Sequence, residues 1–84
     1  MVEEKIGVVA HFFSHINVAA IKITDGTLKV GDTIHIVGAN TDLTQKVESM
    51  QIQKTPVHSV KSGDDVGIRL NDKAREHDIV YKVA

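Results

Sequence analysis

The chain of 84 residues is long enough for one small domain and too short to hold a GTPase module, a Rossmann domain or an α/β barrel. Ten Lys and Arg against eleven Asp and Glu give a formal net charge of −1, so the overall field does not draw the protein to nucleic acid or to a membrane surface. The chain has no cysteine, which excludes disulfides and thiolate metal sites. We expect one domain over residues 1–84. Because the sequence shows neither a signal-peptide pattern nor a long apolar run, we expect it in the cytoplasm with no membrane partner.

Alternating apolar residues predict strands rather than helices along the chain. The alternation is clearest where His35 stands between Ile34 and Ile36, which predicts both isoleucines inward and the histidine outward. Val47 and Met50 cannot both face inward on a regular strand, so a bend or bulge is expected between them. The six predicted strands lie at about residues 5–13, 17–24, 32–38, 43–53, 65–70 and 78–83.

Turn residues separate these strands. Glycine supplies positive φ or close approach, and an aspartate side chain can bond a neighbouring amide. The residues predicted to shape the turns are Gly26, Gly31, Asp32, Gly63 and Asp64. Six short strands in so small a chain have two ways to hide their edges, a closed barrel or a small sandwich. The first two strands are long and almost continuously apolar, as expected of strands that curl round an interior, and this favours the barrel.

The residues offer little for catalysis. His11 and His15 have a spacing that could hold a metal ion on a helix, but on a straight strand their Cα atoms lie about 13 Å apart. A turn at Ser14 would bring them nearer, so a small metal-dependent enzyme remains an alternative. His35, His58 and His77 are expected to face solvent without a special role. We find no serine elbow, no close carboxylate pair and no glycine-rich phosphate loop, so we expect no enzymatic activity, no cofactor or metal, and no nucleotide bound by this chain.

Nucleic-acid binding is harder to dismiss. Six basic residues of the later half could converge on one side of a barrel and contact phosphates; they are Lys46, Lys54, Lys61, Arg69, Lys73 and Arg75. Only Phe12, Phe13 and Tyr81 are aromatic, too few for the stacking platform of a single-strand binder. Alternation exposes one of the two phenylalanines as a possible contact point.

The run 26–32 (GTLKVGD) resembles the G-x-(L/V)-K-V-G-D turn in the second domain of translational GTPases such as elongation factor Tu, and 33–38 is similar to the strand after it. The resemblance spans about residues 5–83. The likeness resumes at 47–54, at 61–68, which resembles A-G-D-x-V-G, and at 75–80, which resembles the closing R-G-D-V-(L/V) strand. The chain also resembles the small barrel at the carboxyl end of some U32-family peptidases, with which it shares the K-V-G-D turn and a V-x-x-M strand.

The resemblance implies a closed six-stranded antiparallel Greek-key β-barrel. In elongation factor Tu this domain helps to hold the aminoacylated end of transfer RNA, and the positions matching that pocket are Phe12, Ser14, Val18, Gln51, Gln53, Lys54, Asp65 and Arg69. This sequence departs from the pattern at several places. Gln51 stands where the family has an acid and Lys54 where it has an arginine, which removes planar, bidentate contacts. The family's G-R-G near the first hairpin is replaced here by Ser14-His15-Ile16, and the family's glycine before the last strand is replaced by His77.

Without a GTPase domain, the resemblance implies a non-catalytic binding module that contacts RNA, the ribosome or a translation protein. The contacts would come from Lys54, Arg69 and the exposed member of the Phe12-Phe13 pair. The alternative is a protein–protein adaptor or accessory subunit related to the barrel of U32 peptidases. A basic surface would favour the first function, and an exposed apolar patch would favour the second.

Overall fold

The computed structural model describes residues 2–84, which form ten β-strands. The strands are β1 (Glu3–Phe13), β2 (Val18–Ile23), β3 (Thr27–Lys29), β4 (Thr33–Gly38), β5 (Thr41–Lys46), β6 (Met50–Ile52), β7 (Thr55–Val57), β8 (Ser59–Lys61), β9 (Asp65–Arg69) and β10 (Ile79–Val83). In the part of the chain described, there is no helix of the length and hydropathy that a membrane span requires.

The strands form two antiparallel sheets. Eight of them make one sheet in the order β5-β4-β10-β1-β2-β9-β6-β7, and β3 pairs with β8 in a separate two-stranded ribbon. The first strand, β1, pairs with the last strand, β10, on one side and with β2 on the other. The predicted all-β, antiparallel architecture is therefore confirmed.

The strand count differs from the prediction of six. Three short strands of three residues each, β3, β7 and β8, were not predicted, because so short a segment carries no readable alternation. The predicted strand 43–53 is divided at residues 47–49 into β5 and β6. Val47 and Met50 are both buried, and the break between the two strands is the bend that this requires.

The large sheet is strongly curled. β5 lies at one end of it and β6 is next to last at the other, yet only residues 47–49 connect them. The four Cα–Cα steps from Lys46 to Met50 span about 14 Å at most, so the two ends of the sheet approach each other. The buried side chain of Gln45 on β5 bridges the gap: its Nε2 donates to Arg69 O at 3.0 Å, and its Oε1 accepts from Asn71 N at 2.7 Å.

The core fills the inside of this curled sheet. Ile34 and Ile36 are fully buried as predicted, and Val66 and Ile68 on β9 face the same interior. The remaining buried apolar side chains come from almost every strand and include Ile6, Val9, Ala19, Ile21, Ile23, Leu28, Val47, Met50, Val60, Leu70, Ala74 and Val80. The outer face of each strand therefore carries the residues that are free to meet other molecules.

Two turns of the same sequence pattern, 29–32 (KVGD) and 61–64 (KSGD), begin at the two ends of the β3–β8 ribbon. In each turn the aspartate carboxylate accepts from the lysine amide at 2.9 Å, and the aspartate amide donates to the lysine carbonyl at 3.0 Å. Gly31 and Gly63 have φ of 101° and 99°, values that only glycine adopts without strain, and Gly26 has φ of 69°. The two turns therefore share both their sequence pattern and their hydrogen bonds.

Candidate functional site

An open trough of about 400 Å³ lies on the outer face of β2, β9 and β6. Its floor is a row of paired residues, because Ala20 lies opposite Gly67 and Gly67 lies opposite Gln51. The side chains inward from this row belong to the core, so the trough is a surface feature and not a defect of packing. The trough is lined by Phe13, Ile16, Val18, Ala20, Gln51, Gln53, Lys54, Asp65, Val66 and Gly67.

The apolar end of the trough is formed where β1 turns into β2. Phe13 is 40% exposed and Ile16 is 50% exposed, and the two side chains line the same trough as one apolar patch. Phe13 also packs edge-on against the His11 ring, with 4.5 Å between the ring centroids. These two apolar side chains are available to a partner.

Phe13, and not Phe12, is the exposed phenylalanine. The β1–β2 register shifts between Val9 and His11, and such a bulge exchanges the faces to which the following residues point. Phe12 is consequently half-buried against the core, where it lines a different groove together with His11 and Glu76.

The opposite wall is the two-residue turn between β6 and β7. Gln53 and Lys54 both have positive φ, 49° and 66°, the pattern of a type I′ hairpin turn. Such turns prefer Asn-Gly, because the left-handed region destabilises most other residues by roughly 1–2 kcal/mol each. Here the turn carries two long polar side chains in spite of this strain, and both line the trough.

The charges at the trough are few. Lys54 and Asp65 line it, and Arg69 lines an adjoining groove of about 250 Å³ that shares Val18, Gln51 and Gly67 with the trough. Within residues 2–84 neither cation, nor the aspartate, takes part in an ion pair. All three charges are thus available to a ligand.

The structure gathers most of the candidate binding residues. Five of the eight line the trough: Val18, Gln51, Gln53, Lys54 and Asp65. Arg69 is adjacent, whereas Phe12 and Ser14 do not line it. Ile16, Ala20 and Gly67 join the trough without having been singled out.

Four of the basic residues of the later half lie in four different grooves. Lys54 lines the trough, Arg69 lines the groove beside it, Lys61 lines a groove at the β3–β8 ribbon, and Arg75 lines the groove that holds Phe12. Each of these four grooves holds only one of these cations.

His35 takes part in a cluster that the sequence did not indicate. Its Nδ1 lies 2.9 Å from Glu3 Oε2 and its Nε2 lies 2.5 Å from Asp42 Oδ1, on the outer face of the sheet. The hydrogen bond with Asp42, and then the one with Glu3, raise the pKa of His35 above its ordinary value, because both carboxylates favour the imidazolium. Glu3 is 32 residues away from His35 in sequence, so no local sequence pattern predicts their contact.

The two histidines considered for a metal site are His11 and His15. His11 Nδ1 lies 2.8 Å from Glu76 Oε1, and this contact lowers the pKa of Glu76. His15 lies in the turn that follows β1. Across residues 2–84 the structure contains no group of three or more His, Cys, Asp or Glu side chains placed to hold a metal ion.

A small all-β fold with an open, partly apolar trough defines a domain of the binding-module type. The family model described as elongation factor Tu domain 2 matches residues 17–80, and the chain belongs to that family. Confirming the second resemblance, two crystal structures of the C-terminal domain of a protein described as a U32 peptidase from Geobacillus thermoleovorans superpose with TM-scores of 0.85 and 0.88. At 14% identity, covering 92% and 96% of this chain and 96% and 93% of theirs, they share the fold.

Three curated relatives bear on function. An uncharacterized protease of Methanocaldococcus jannaschii is 42% identical over 92% of this chain, a collagenase of Porphyromonas gingivalis is 33% identical over 84%, and the chloroplastic elongation factor Tu of Chaetosphaeridium globosum is 34% identical over 74%. The chain spans only 19%, 20% and 15% of their respective lengths. The matching segment is therefore one part of each larger protein.

Proposed function

We propose that the protein is a non-catalytic protein-binding module, an adaptor or accessory subunit that docks another protein in the trough. The observation that carries this proposal is the pair of exposed apolar side chains, Phe13 and Ile16, on the trough's rim. Exposed apolar surface on a small domain is the usual mark of a protein contact, since burying it against a partner is favourable.

The trough suits a protein better than a nucleic acid. Lys54 is its one cation, and Asp65 beside it repels phosphate, whereas phosphate contacts require clustered cations. Phe13 is the one aromatic ring that lines it, which offers a base a single stacking surface. The overall charge of −1 adds no attraction.

The relatives support the same proposal. Two of them carry protease names, and the structural neighbours are the C-terminal domain of a protein described as a peptidase. A domain appended to a protease is well placed to recognise a protein. We propose that this chain performs such recognition without peptidase chemistry of its own.

A second candidate is a translation module that contacts RNA, the ribosome or a translation protein in the cytoplasm. Membership of the elongation factor Tu domain 2 family favours it, as does the presence of Gln51, Lys54 and Asp65 in one trough at positions that match the transfer RNA pocket. The replacement of that pocket's acid and arginine by Gln51 and Lys54 weakens this candidate relative to the first.

We infer that the module is a closed Greek-key barrel. The short connection from β5 to β6 and the Gln45 bridge to Arg69 and Asn71 support closure between the ends of the large sheet. A closed barrel would hold the trough rigid, because its three strands could not splay apart.

The deciding experiment is an affinity capture from the source cell's lysate at physiological salt, with and without ribonuclease, followed by mass spectrometry. We expect one specific protein to remain after ribonuclease treatment, and to be lost from a Phe13→Ser, Ile16→Ser double variant. Val2→Ser is the matched control, since Val2 is exposed and apolar but does not line the trough. Capture of ribosomal proteins or transfer RNA that disappear with ribonuclease would support the translation module instead.

A further inference from the structure

Resting on the proposed protein-binding function, we propose that the trough takes an extended peptide segment in which an apolar side chain lies beside an aspartate or glutamate. The apolar side chain packs against Phe13 and Ile16, and the carboxylate meets Lys54, with Arg69 as a second cation further along. Four features of the trough argue for this ligand.

The first feature is the glycine in the floor. Gly67 stands in the middle of β9, where glycine weakens a strand through its conformational freedom. Its φ lies outside the left-handed region, and an added Cβ would meet only ordinary contacts, at 3.4 Å from Gln51 Cγ and 3.5 Å from Val18 Cγ1. The fold therefore has no need of glycine here, whereas a ligand that approaches the backbone closely does.

The second feature is the strained turn. Gln53 and Lys54 both occupy the left-handed region that favours glycine, and both side chains line the trough. Strain of this kind persists at ligand-binding sites, where the side chains it positions are needed. Two unfavourable local choices, the floor glycine and this turn, thus meet at one trough.

The third feature is the pair of side-chain amides. Gln51 and Gln53 each carry two donors and one acceptor oxygen, which match the alternating N–H and C=O groups of an extended peptide. The small floor residues Ala20 and Gly67 leave room for a peptide backbone to approach these amides.

The fourth feature is the charge balance. Lys54 and Arg69 outnumber Asp65, so the trough and its adjoining groove carry a local net charge of +1 on a protein whose overall charge is −1. An acidic ligand is complementary to this patch, and Arg69 is free to hold a carboxylate by two parallel hydrogen bonds.

The test is selection of a random peptide library displayed on phage against the immobilised protein. We expect the enriched peptides to share an apolar residue within two positions of Asp or Glu. Synthetic copies of the enriched sequence should bind less tightly as salt rises. Enrichment of basic peptides, of apolar peptides without an acid, or of no sequence at all would overturn the proposal.

Three variants locate the binding. Gly67→Ala should leave thermal stability unchanged or higher, yet weaken the selected peptide by roughly tenfold or more, the effect of disturbing the centre of an interface. Lys54→Glu should reverse the preference towards basic peptides. Lys46→Glu, which makes the same charge change on β5 outside the trough, should bind as the unaltered protein does.

Failure of this inference is distinguishable from failure of the proposed function. If lysate capture retains a ribonuclease-resistant protein that Gly67→Ala and Lys54→Glu still bind, the adaptor function stands and the acidic-peptide proposal is wrong. If capture yields only ribonuclease-sensitive RNA and ribosomal proteins, the adaptor function itself is wrong.

Discussion

Replacing His77 with glycine should stabilise the protein. His77 is the third residue of the turn Arg75–Asp78, in which Asp78 N donates to Arg75 O at 3.2 Å, and it has φ of 74°. A Cβ in this left-handed region lies too close to the following carbonyl oxygen. The family pattern that residues 75–80 resemble, R-G-D-V-(L/V), has a glycine in the place of His77.

The size of the effect follows from two opposing contributions. Relief of the left-handed conformation is worth roughly 1–2 kcal/mol. The greater freedom of glycine in the unfolded chain costs roughly 0.5–1 kcal/mol. The backbone hydrogen bond from His77 N to Val9 O, at 2.8 Å, is retained in the variant. The expected net gain is about 0.5–1 kcal/mol, which raises the Tm of a domain this size by roughly 2–8 °C.

The assay is thermal and urea unfolding followed by circular dichroism. His77→Ala is the matched control, because it removes the same imidazole but keeps the Cβ that causes the strain. We expect His77→Gly to be more stable than both the parent and His77→Ala. Equal stability of the two variants would refute the reasoning from backbone strain.

Two further predictions concern side-chain contacts. Gln45→Ala should lower the free energy of unfolding by about 1–3 kcal/mol in urea titration, because it removes two part-buried hydrogen bonds, one to Arg69 O and one from Asn71 N; an unchanged midpoint would contradict the bridging role. The pKa of His35 in the folded protein is raised above its ordinary value of 6.5 by Asp42 and Glu3, so its contribution to stability is complete below that value and is lost as pH rises through the folded pKa. The Tm difference between the parent and a His35→Gln variant should therefore shrink from about pH 5.5 to about pH 8.5, and a constant difference would count against the ion pairs.

The sequence predicted the strands in which apolar and polar residues alternate regularly. It did not predict which strands pair with one another in the sheet. Ile34 and Ile36 follow from their period of two, since each residue reports its own face. Nothing local says that β5 and β6, only three residues apart, belong near opposite ends of one sheet. The Lys-x-Gly-Asp pattern at 29–32 and 61–64 was the readable signal for the two ends of the β3–β8 ribbon, and it is visible in the sequence alone.

The candidate site was predicted through the family resemblance, which grouped residues of β2, β6 and β9 that no spacing rule would bring together. Alternation in the sequence left open which of Phe12 and Phe13 is exposed. The bulge between Val9 and His11 decides it, because after the bulge Phe13 points to the trough. Gly67 escaped notice because a strand glycine becomes informative only when the space around its missing Cβ is known.

The neighbouring positions of β1 and β10 set the order in which the chain can fold. β1 cannot gain its second partner until β10 has been synthesised, on the order of several seconds later at about 5–20 residues per second. During that interval the buried residues Ile6 and Val9 lack one of the two strands that flank β1. Pairing between such distant segments also places the protein among slow-folding β-domains, in the range of roughly milliseconds to seconds. The pairing of the first strand is therefore completed only after the last strand has emerged.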